Sequence, residues 1–219
     1  MNTANFDIAL FDLDGTLTDS AEGILNCTRY ALEQMGRDIP DDKTLQRFLG
    51  PPLVVSFQEY CGMSKQEAEG ATRIFRVRYT DIGLFENKPY EGVREMLEKL
   101  KNAGITLATA TSKPEDYARR ILDRFDLIKY FDFLGAATFD ESRHDKIAVL
   151  DYTLKALDIK DKSRVIMIGD RSNDIDGAHR FGLKCIAVRY GYGNDEEFKS
   201  SKADFIADSP DEVAELIIG

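Results

Sequence analysis

Positive charge is scarce in this chain: 29 lysines and arginines stand against 39 aspartates and glutamates, a formal net charge of -10 over 219 residues. No local basic stripe offsets the balance, which argues against a nucleic-acid polymer or any other polyanion as partner. Apolar runs are short as well. None approaches the about 18 uninterrupted residues of a membrane span. The start of the chain has no basic leader or long apolar core, and Asp7 interrupts it early. The expectation is a cytoplasmic protein with no signal peptide and no membrane partner. Cysteine is sparse and odd in number. Cys27, Cys61 and Cys185 are widely spaced with no Cys-x-x-Cys pair, so they read as reduced, small apolar side chains. The two histidines, His144 and His179, carry little weight, although His144 lies close to Lys146. No internal repeat or low-complexity tract stands out. The acidic balance that remains suits a site recruiting a divalent cation.

Two kinds of organisation are present. From about Leu100 onward, strand-like and helix-like segments alternate. Helical spacing covers Glu91–Ala103, Pro114–Phe125, Asp145–Leu157, Asp174–Phe181 and Pro210–Ile218, with Gly104 and Gly182 placed as stops. Buried strands are predicted at Ile8–Phe11, Ile105–Ala110, Phe131–Leu134, Val165–Ile168, Cys185–Val188 and Phe205–Ile206. Such alternation predicts an α/β fold, a parallel sheet with helices on both faces. Between Asp19 and Lys88 no β run appears. Helices are predicted near Ser20–Met35, Asp42–Leu49, Leu53–Tyr60 and Ser64–Gly83, with Ser64 and Glu67 forming a capping box. An all-helical domain of residues 19–88 is therefore expected within a core domain of residues 1–18 and 89–219.

In an open parallel sheet, ligands bind beyond the carboxyl ends of the strands. After Ile8–Phe11 come Asp12 and Asp14, two acids that repel each other near a buried strand unless a cation or proton intervenes. Gly15 then lets the backbone turn away. After Ile105–Ala110 come Thr111-Ser112-Lys113, and after Val165–Ile168 come Gly169-Asp170 and, at the next helix, Asp174. Lys146 opens the helical stripe before it. Singly, each has a plain structural reading: an Asp-Gly turn, a helix cap, a solvated lysine, a helix-dipole acid. Together at one rim they fit phosphoryl transfer through an aspartyl phosphate. Asp12 and Asp170 offer hard oxygens for Mg²⁺, and Thr111 and Lys146 can hold the non-bridging oxygens. Asp14 can protonate the leaving alkoxide and then activate water.

Asp12-x-Asp14-Gly15-Thr16, Thr111-Ser112, Lys146 and Gly169-Asp170-(x3)-Asp174, in that order, resemble the four motifs of the haloacid dehalogenase-like hydrolase superfamily. The helices inserted after the first motif look like the C1-type cap of its phosphoglycolate phosphatase and 5′-nucleotidase-like branch. So do Leu49-Gly50-Pro51-Pro52-Leu53 and Phe85–Tyr90. The resemblance implies a Rossmann-like core, Asp12 as nucleophile and Asp14 as general acid and base. It further implies Mg²⁺ held by Asp12, the Asp14 carbonyl and Asp170, with Asp174 supporting through water or by orienting Lys146. Position 112 is Ser where many relatives carry Asn, so Ser112 is expected to offer substrate its backbone N–H. Lys146 lacks the following proline common in that branch; Lys113-Pro114 has one but reads as a helix start.

The expected activity is Mg²⁺-dependent hydrolysis of phosphomonoesters of small soluble metabolites. A phosphosugar mutase or pyrophosphatase of the same superfamily, and a non-enzymatic phospho-aspartate signalling module, are the alternatives. The cap is expected to close over the rim, with Gly50 and Pro51 in a substrate-facing loop and Arg47, Arg76 and Arg78 available to a second anionic group. Tyr190-Gly191-Tyr192-Gly193 follows a strand end and is expected to form a rim loop, not a dinucleotide fingerprint.

Overall fold

The apolar run that opens the chain is strand β1, Ile8–Phe11, in a computed structural model that describes residues 4–140 and 142–219. The backbone then turns at Gly15 and enters four helices: α1 (Ala21–Gln34), α2 (Asp42–Gln46), α3 (Leu53–Cys61) and α4 (Lys65–Asp81). It returns through α5 (Val93–Asn102), β2 (Thr106–Pro114), α6 (Glu115–Arg124), β3 (Phe133–Ala137) and α7 (Lys146–Ala156). Next come β4 (Val165–Gly169), α8 (Ser172–Arg180), β5 (Lys184–Val188), α9 (Asp195–Ser200), β6 (Phe205–Ala207) and α10 (Pro210–Ile218). The chain divides into two compact units, Asp19–Lys88 and the described residues up to Thr18 together with Pro89–Gly219.

In the larger unit six parallel strands run in the spatial order β3-β2-β1-β4-β5-β6. The order reverses direction between β1 and β4, so the ligand crevice of this topology lies beyond the carboxyl ends of those two strands. One face presents Leu10, Ala108, Ala110, Met167 and Cys185, which pack with Val149 and Leu150 of α7 and Ile175 and Ala178 of α8. The alternate residues Ala9, Phe11, Leu107, Ile166 and Ile168 are also fully buried. Burial on both faces is why these strands read as continuous apolar runs, each large side chain contributing about 1.5–3 kcal/mol.

The smaller unit is helical, as its lack of β runs predicts. Ser64 accepts from the Glu67 N–H at 3.3 Å while Glu67 accepts from Ser64 N–H at 2.8 Å, the expected capping box at the start of α4. Phe48 packs edge-on against Phe57 and Tyr60, with ring centroids 5.1 and 5.5 Å apart. Arg78 makes a two-pronged contact with Glu86 at 2.7 and 2.8 Å, and Arg47 pairs with Glu59 at 3.1 Å while lying over the Tyr60 ring. Both arginines thus have partners inside the unit, and Arg76 is exposed. Two-residue strands, Thr18–Asp19 and Lys88–Pro89, pair where the chain passes between units, which no apolar run announces.

Several boundaries differ from expectation. β2 runs through Pro114, not to Ala110, because its later residues pair with Ala136 and Ala137 of β3 across a register shift. Thr111, Ser112 and Lys113 therefore lie within a strand, and Pro114 precedes α6 as its N-cap. β3 starts at Phe133 instead of Phe131, the Asp132 carboxylate being used to accept the Leu107 N–H at 2.9 Å. The helix near Asp174 starts earlier, at Ser172, and that near Asp42 ends earlier, at Gln46. Helix α9 is absent from the expectations, although Asn194 accepting from the Glu197 N–H at 3.0 Å is an ordinary cap.

Candidate active site

Asp12 leaves β1 with its N–H still bonded to Ile168 of β4 at 2.9 Å, so its backbone belongs to the sheet while its side chain stands at the rim. Asp170 leaves β4 one strand away, and Asp174 lies in the first turn of α8. One oxygen from each of Asp12, Asp170 and Asp174 falls within 4.8 Å of the others, and Asp170 and Asp174 are each only 1% exposed. Burial, then mutual repulsion among the three, pushes the Asp170 carboxyl well above the usual carboxylate range. Burial likewise raises Asp174 to about 6, with Lys146 opposing. Burial is the main cause for both Asp170 and Asp174, and like charge adds to it at a site short of positive charge.

Lys146, the first residue of α7 after the capping Asp145, supplies part of it. Its ammonium, with three donors, has three oxygens within 3.1 Å: Ala110 carbonyl at 2.7 Å, Asp12 at 3.1 Å and Asp174 at 2.7 Å. Burial favours its neutral form, but the carboxylates of Asp12 and Asp174 outweigh that and hold the lysine charged. Once all three acids are ionised, as ligands of a cation must be, three carboxylates against one ammonium leave two negative charges on hard oxygen donors. That donor set fits a divalent oxygen-loving cation such as Mg²⁺.

The backbone is shaped around Asp170. Gly15 has φ +80°, and a Cβ there would lie 2.2 Å from an Asp170 carboxylate oxygen; a Cβ on Gly191 would lie 2.3 Å from the Asp170 Cβ. Thr16 Oγ1 donates to Asp170 at 3.5 Å and the Tyr192 N–H at 2.8 Å. The Tyr190–Gly193 run is thus a rim loop seated on an acidic side chain. Behind it, Glu197 of α9 accepts from the Ser172 N–H at 2.6 Å and Arg171 Nε at 3.0 Å, tying the start of α8 in place. The Arg171 N–H in turn donates to Asp174 at 3.1 Å.

Asp14 sits apart from the three clustered acids, with Oδ2 at 2.6 Å from Lys113 Nζ. Thr111 is buried next to Ala110 and its Oγ1 accepts the Lys113 N–H at 3.2 Å; Ser112 is exposed. The structure therefore brings Asp12, Asp170, Asp174 and Lys146 together, and keeps Asp14, on Lys113, and Thr111, next to Ala110, in the same unit. Gly50, exposed with φ +109°, and Pro51 belong to the helical unit. His179 bonds Asp204 at 2.9 Å and His144 is exposed beside Asp145. Sequence reasoning passed over Lys113 as a helix start. It also passed over Glu197, whose only signal was the Asn194-x-x-Glu197 cap spacing.

The chain matches the family model described as haloacid dehalogenase-like hydrolase over residues 9–188. A Pseudomonas aeruginosa 5′-nucleotidase is 39% identical over 87% of this chain and 86% of its own length. An Aquifex aeolicus phosphoglycolate phosphatase is 30% identical over 96% of each chain. The Mycobacterium tuberculosis tyrosine-protein kinase PtkA is 38% identical over 91% of this chain but only 65% of its own length. Among solved structures, that of a predicted phosphatase from Clostridium acetobutylicum superposes with a TM-score of 0.89 at 40% identity, covering 96% of this chain and 97% of that one.

Proposed function

The chain belongs to the haloacid dehalogenase-like hydrolases as a phosphomonoester hydrolase, and from that premise we propose that it dephosphorylates small soluble metabolites through a phosphorylated Asp12. The observation that carries the reading is the convergence of Asp12, Asp170, Asp174 and Lys146 at the point where the strand order reverses. Asp12, Asp170 and Asp174 would hold Mg²⁺, the Asp14 carbonyl joining them. When bound, the cation offsets the repulsion between a phosphate dianion and the carboxylate that attacks it. Asp12 attacks phosphorus, and the phosphorus–oxygen bond to the leaving group breaks. Lys146 neutralises charge as it spreads over the non-bridging oxygens, and Thr111 donates a hydrogen bond that orients them, with the Ser112 N–H beside them. Asp14 gives its proton to the leaving oxygen, then takes one from the water that frees the phosphate and restores Asp12. Gly50 and Pro51 are assigned to substrate selection by the helical unit.

The relatives support phosphoglycolate-like and nucleoside monophosphate substrates as the first to try. The test is a Mg²⁺-dependent screen of phosphoglycolate, nucleoside monophosphates, sugar phosphates and pyrophosphate, with Asp12→Asn as blank. Phosphate release lost in that variant is the expected result; release that survives in it contradicts the reading. The kinase-named relative favours a second reading, transfer of the phosphoryl group to a hydroxyl instead of water. A phosphorylated acceptor in place of free phosphate would mark it.

A further inference from the structure

Lys113 is an expensive residue where it stands. Its side chain is 6% exposed, and an ammonium so deeply placed loses most of its hydration unless a counter-charge replaces it. An apolar residue would fill the same space without that cost. The cause of the placement is local. β2 shifts register against β3 between Thr111 and Pro114, so Ser112 and Lys113 fall at a bulge-like irregularity of the ladder, with the Lys113 N–H folded back onto Thr111 Oγ1 at 3.2 Å. Bulges of this kind re-aim side chains beside functional sites. Here the result is that Ser112 faces out and Lys113 turns inward.

The ammonium ends 2.6 Å from Oδ2 of Asp14. The other oxygen of that carboxylate, Oδ1, is buried and has no hydrogen-bond partner among the described residues. The Asp14 backbone is already held by the turn in which the Gly15 N–H meets Thr18 carbonyl at 2.8 Å and the Leu17 N–H meets Leu13 carbonyl at 2.9 Å. What remains undetermined by the backbone is the side-chain torsion, and a free aspartate samples more than one rotamer. One ammonium on one oxygen removes that freedom and leaves the second oxygen to the reacting group.

We propose that Lys113 is a positioning residue that sets the rotamer of Asp14, so that Oδ1 is aimed at the oxygen leaving phosphorus. The proposal rests on the reading of Asp14 as the proton donor and acceptor. No bond forms or breaks at Lys113; the proton passes between Asp14 and the leaving oxygen, and the lysine keeps its own. Lys113 thus differs from Lys146, which lies on Asp12 and Asp174.

The consequence is a dependence on the leaving group. Nitrophenolate departs without a proton and gains little from a well-aimed acid, whereas phenolate gains much more. The experiment measures kcat/KM of the Mg²⁺-loaded enzyme for p-nitrophenyl phosphate and phenyl phosphate in the wild type, Lys113→Met, Lys113→Gln, Lys113→Arg and Asp14→Asn. General acid help of about a hundredfold or more is at stake, so Lys113→Met is expected to lose about tenfold more on phenyl than on p-nitrophenyl phosphate. Lys113→Arg should narrow that gap, and adding Lys113→Met to Asp14→Asn should not widen the gap that Asp14→Asn shows alone. Circular dichroism identifies which of the Met and Gln variants folds, and either serves. Equal losses on both esters, the signature of a phosphate ligand or of general damage, would overturn the proposal, as would a gap that adds to that of Asp14→Asn. Those outcomes are separable from failure of the functional reading, which appears as phosphate release surviving in Asp12→Asn.

Discussion

Gly15 and Asp170 define the tightest tolerance at the residue scale. A methyl group at position 15 would fall 2.2 Å from the Asp170 carboxylate, on a backbone already in the left-handed region. Relief requires moving the acid or the turn, and the left-handed conformation alone costs a side-chain-bearing residue about 1–2 kcal/mol. Gly15→Ala should therefore lower the unfolding free energy in urea by about 2 kcal/mol and weaken Mg²⁺ binding by about tenfold or more. Unchanged Mg²⁺ affinity in a folded variant would show that the contact does not shape the site. Asp12, Asp14, Asp170 and Asp174 were legible in the sequence because each follows directly from a strand end or a helix start, where local order decides position. Lys113 was not. Its inward turn depends on a register shift against β3, whose residues lie more than twenty positions further along, and nothing beside it in sequence announces that shift.

At the scale of elements, the strands buried on both faces were readable as apolar runs, and the helices as amphipathic stripes ended by Gly104 and Gly182, both with positive φ. The elements that escaped are held by polar contacts instead. Helix α9 has six residues and one fully buried side chain, Phe198, so its Asn194 cap is a large share of what defines it. Asn194→Ala should cost about 1 kcal/mol in urea unfolding. No change in midpoint would mean that Phe198 and the Glu197–Arg171 pair suffice. The start of β3 is likewise decided by Asp132. Burial pulls its carboxyl upward, but Lys101 and the Leu107 N–H outweigh it and hold the carboxyl below its usual value. A depressed folded pKa means that the contact stabilises the fold above the unfolded value and is lost as pH falls through the folded one. Asp132→Asn should accordingly lose less stability than the wild type between about pH 5 and about pH 2. Denaturant midpoints at the two ends of that range measure it, and parallel losses would contradict the assignment.

For the whole molecule, the two-unit division lets one stretch of chain, Asp12 to Asp19, carry both the site and the passage into the helical unit. Among the described residues no helix is long and apolar enough to cross a membrane. The larger unit concentrates negative charge at the reversal of its strand order, where Lys146 lies on Asp12 and Asp174 of the three clustered acids and Lys113 lies on Asp14. A cation that binds only the folded state stabilises it by mass action, by about 2.7 kcal/mol at a hundredfold excess over its dissociation constant. Mg²⁺ should raise the thermal midpoint of the wild type, and Asp170→Asn should remove most of that rise. An equal rise in both would place the ion elsewhere.

The claim on which the rest depends is that phosphate passes through Asp12. Rapid acid quenching of a turning-over, Mg²⁺-loaded reaction, followed by peptide mapping, tests it directly. One phosphoryl group on the peptide containing Asp12, decaying at the rate of turnover and absent from Asp12→Asn, is the predicted result. Phosphate released at the wild-type rate by Asp12→Asn, or a phosphoryl group mapped to another residue, would contradict it.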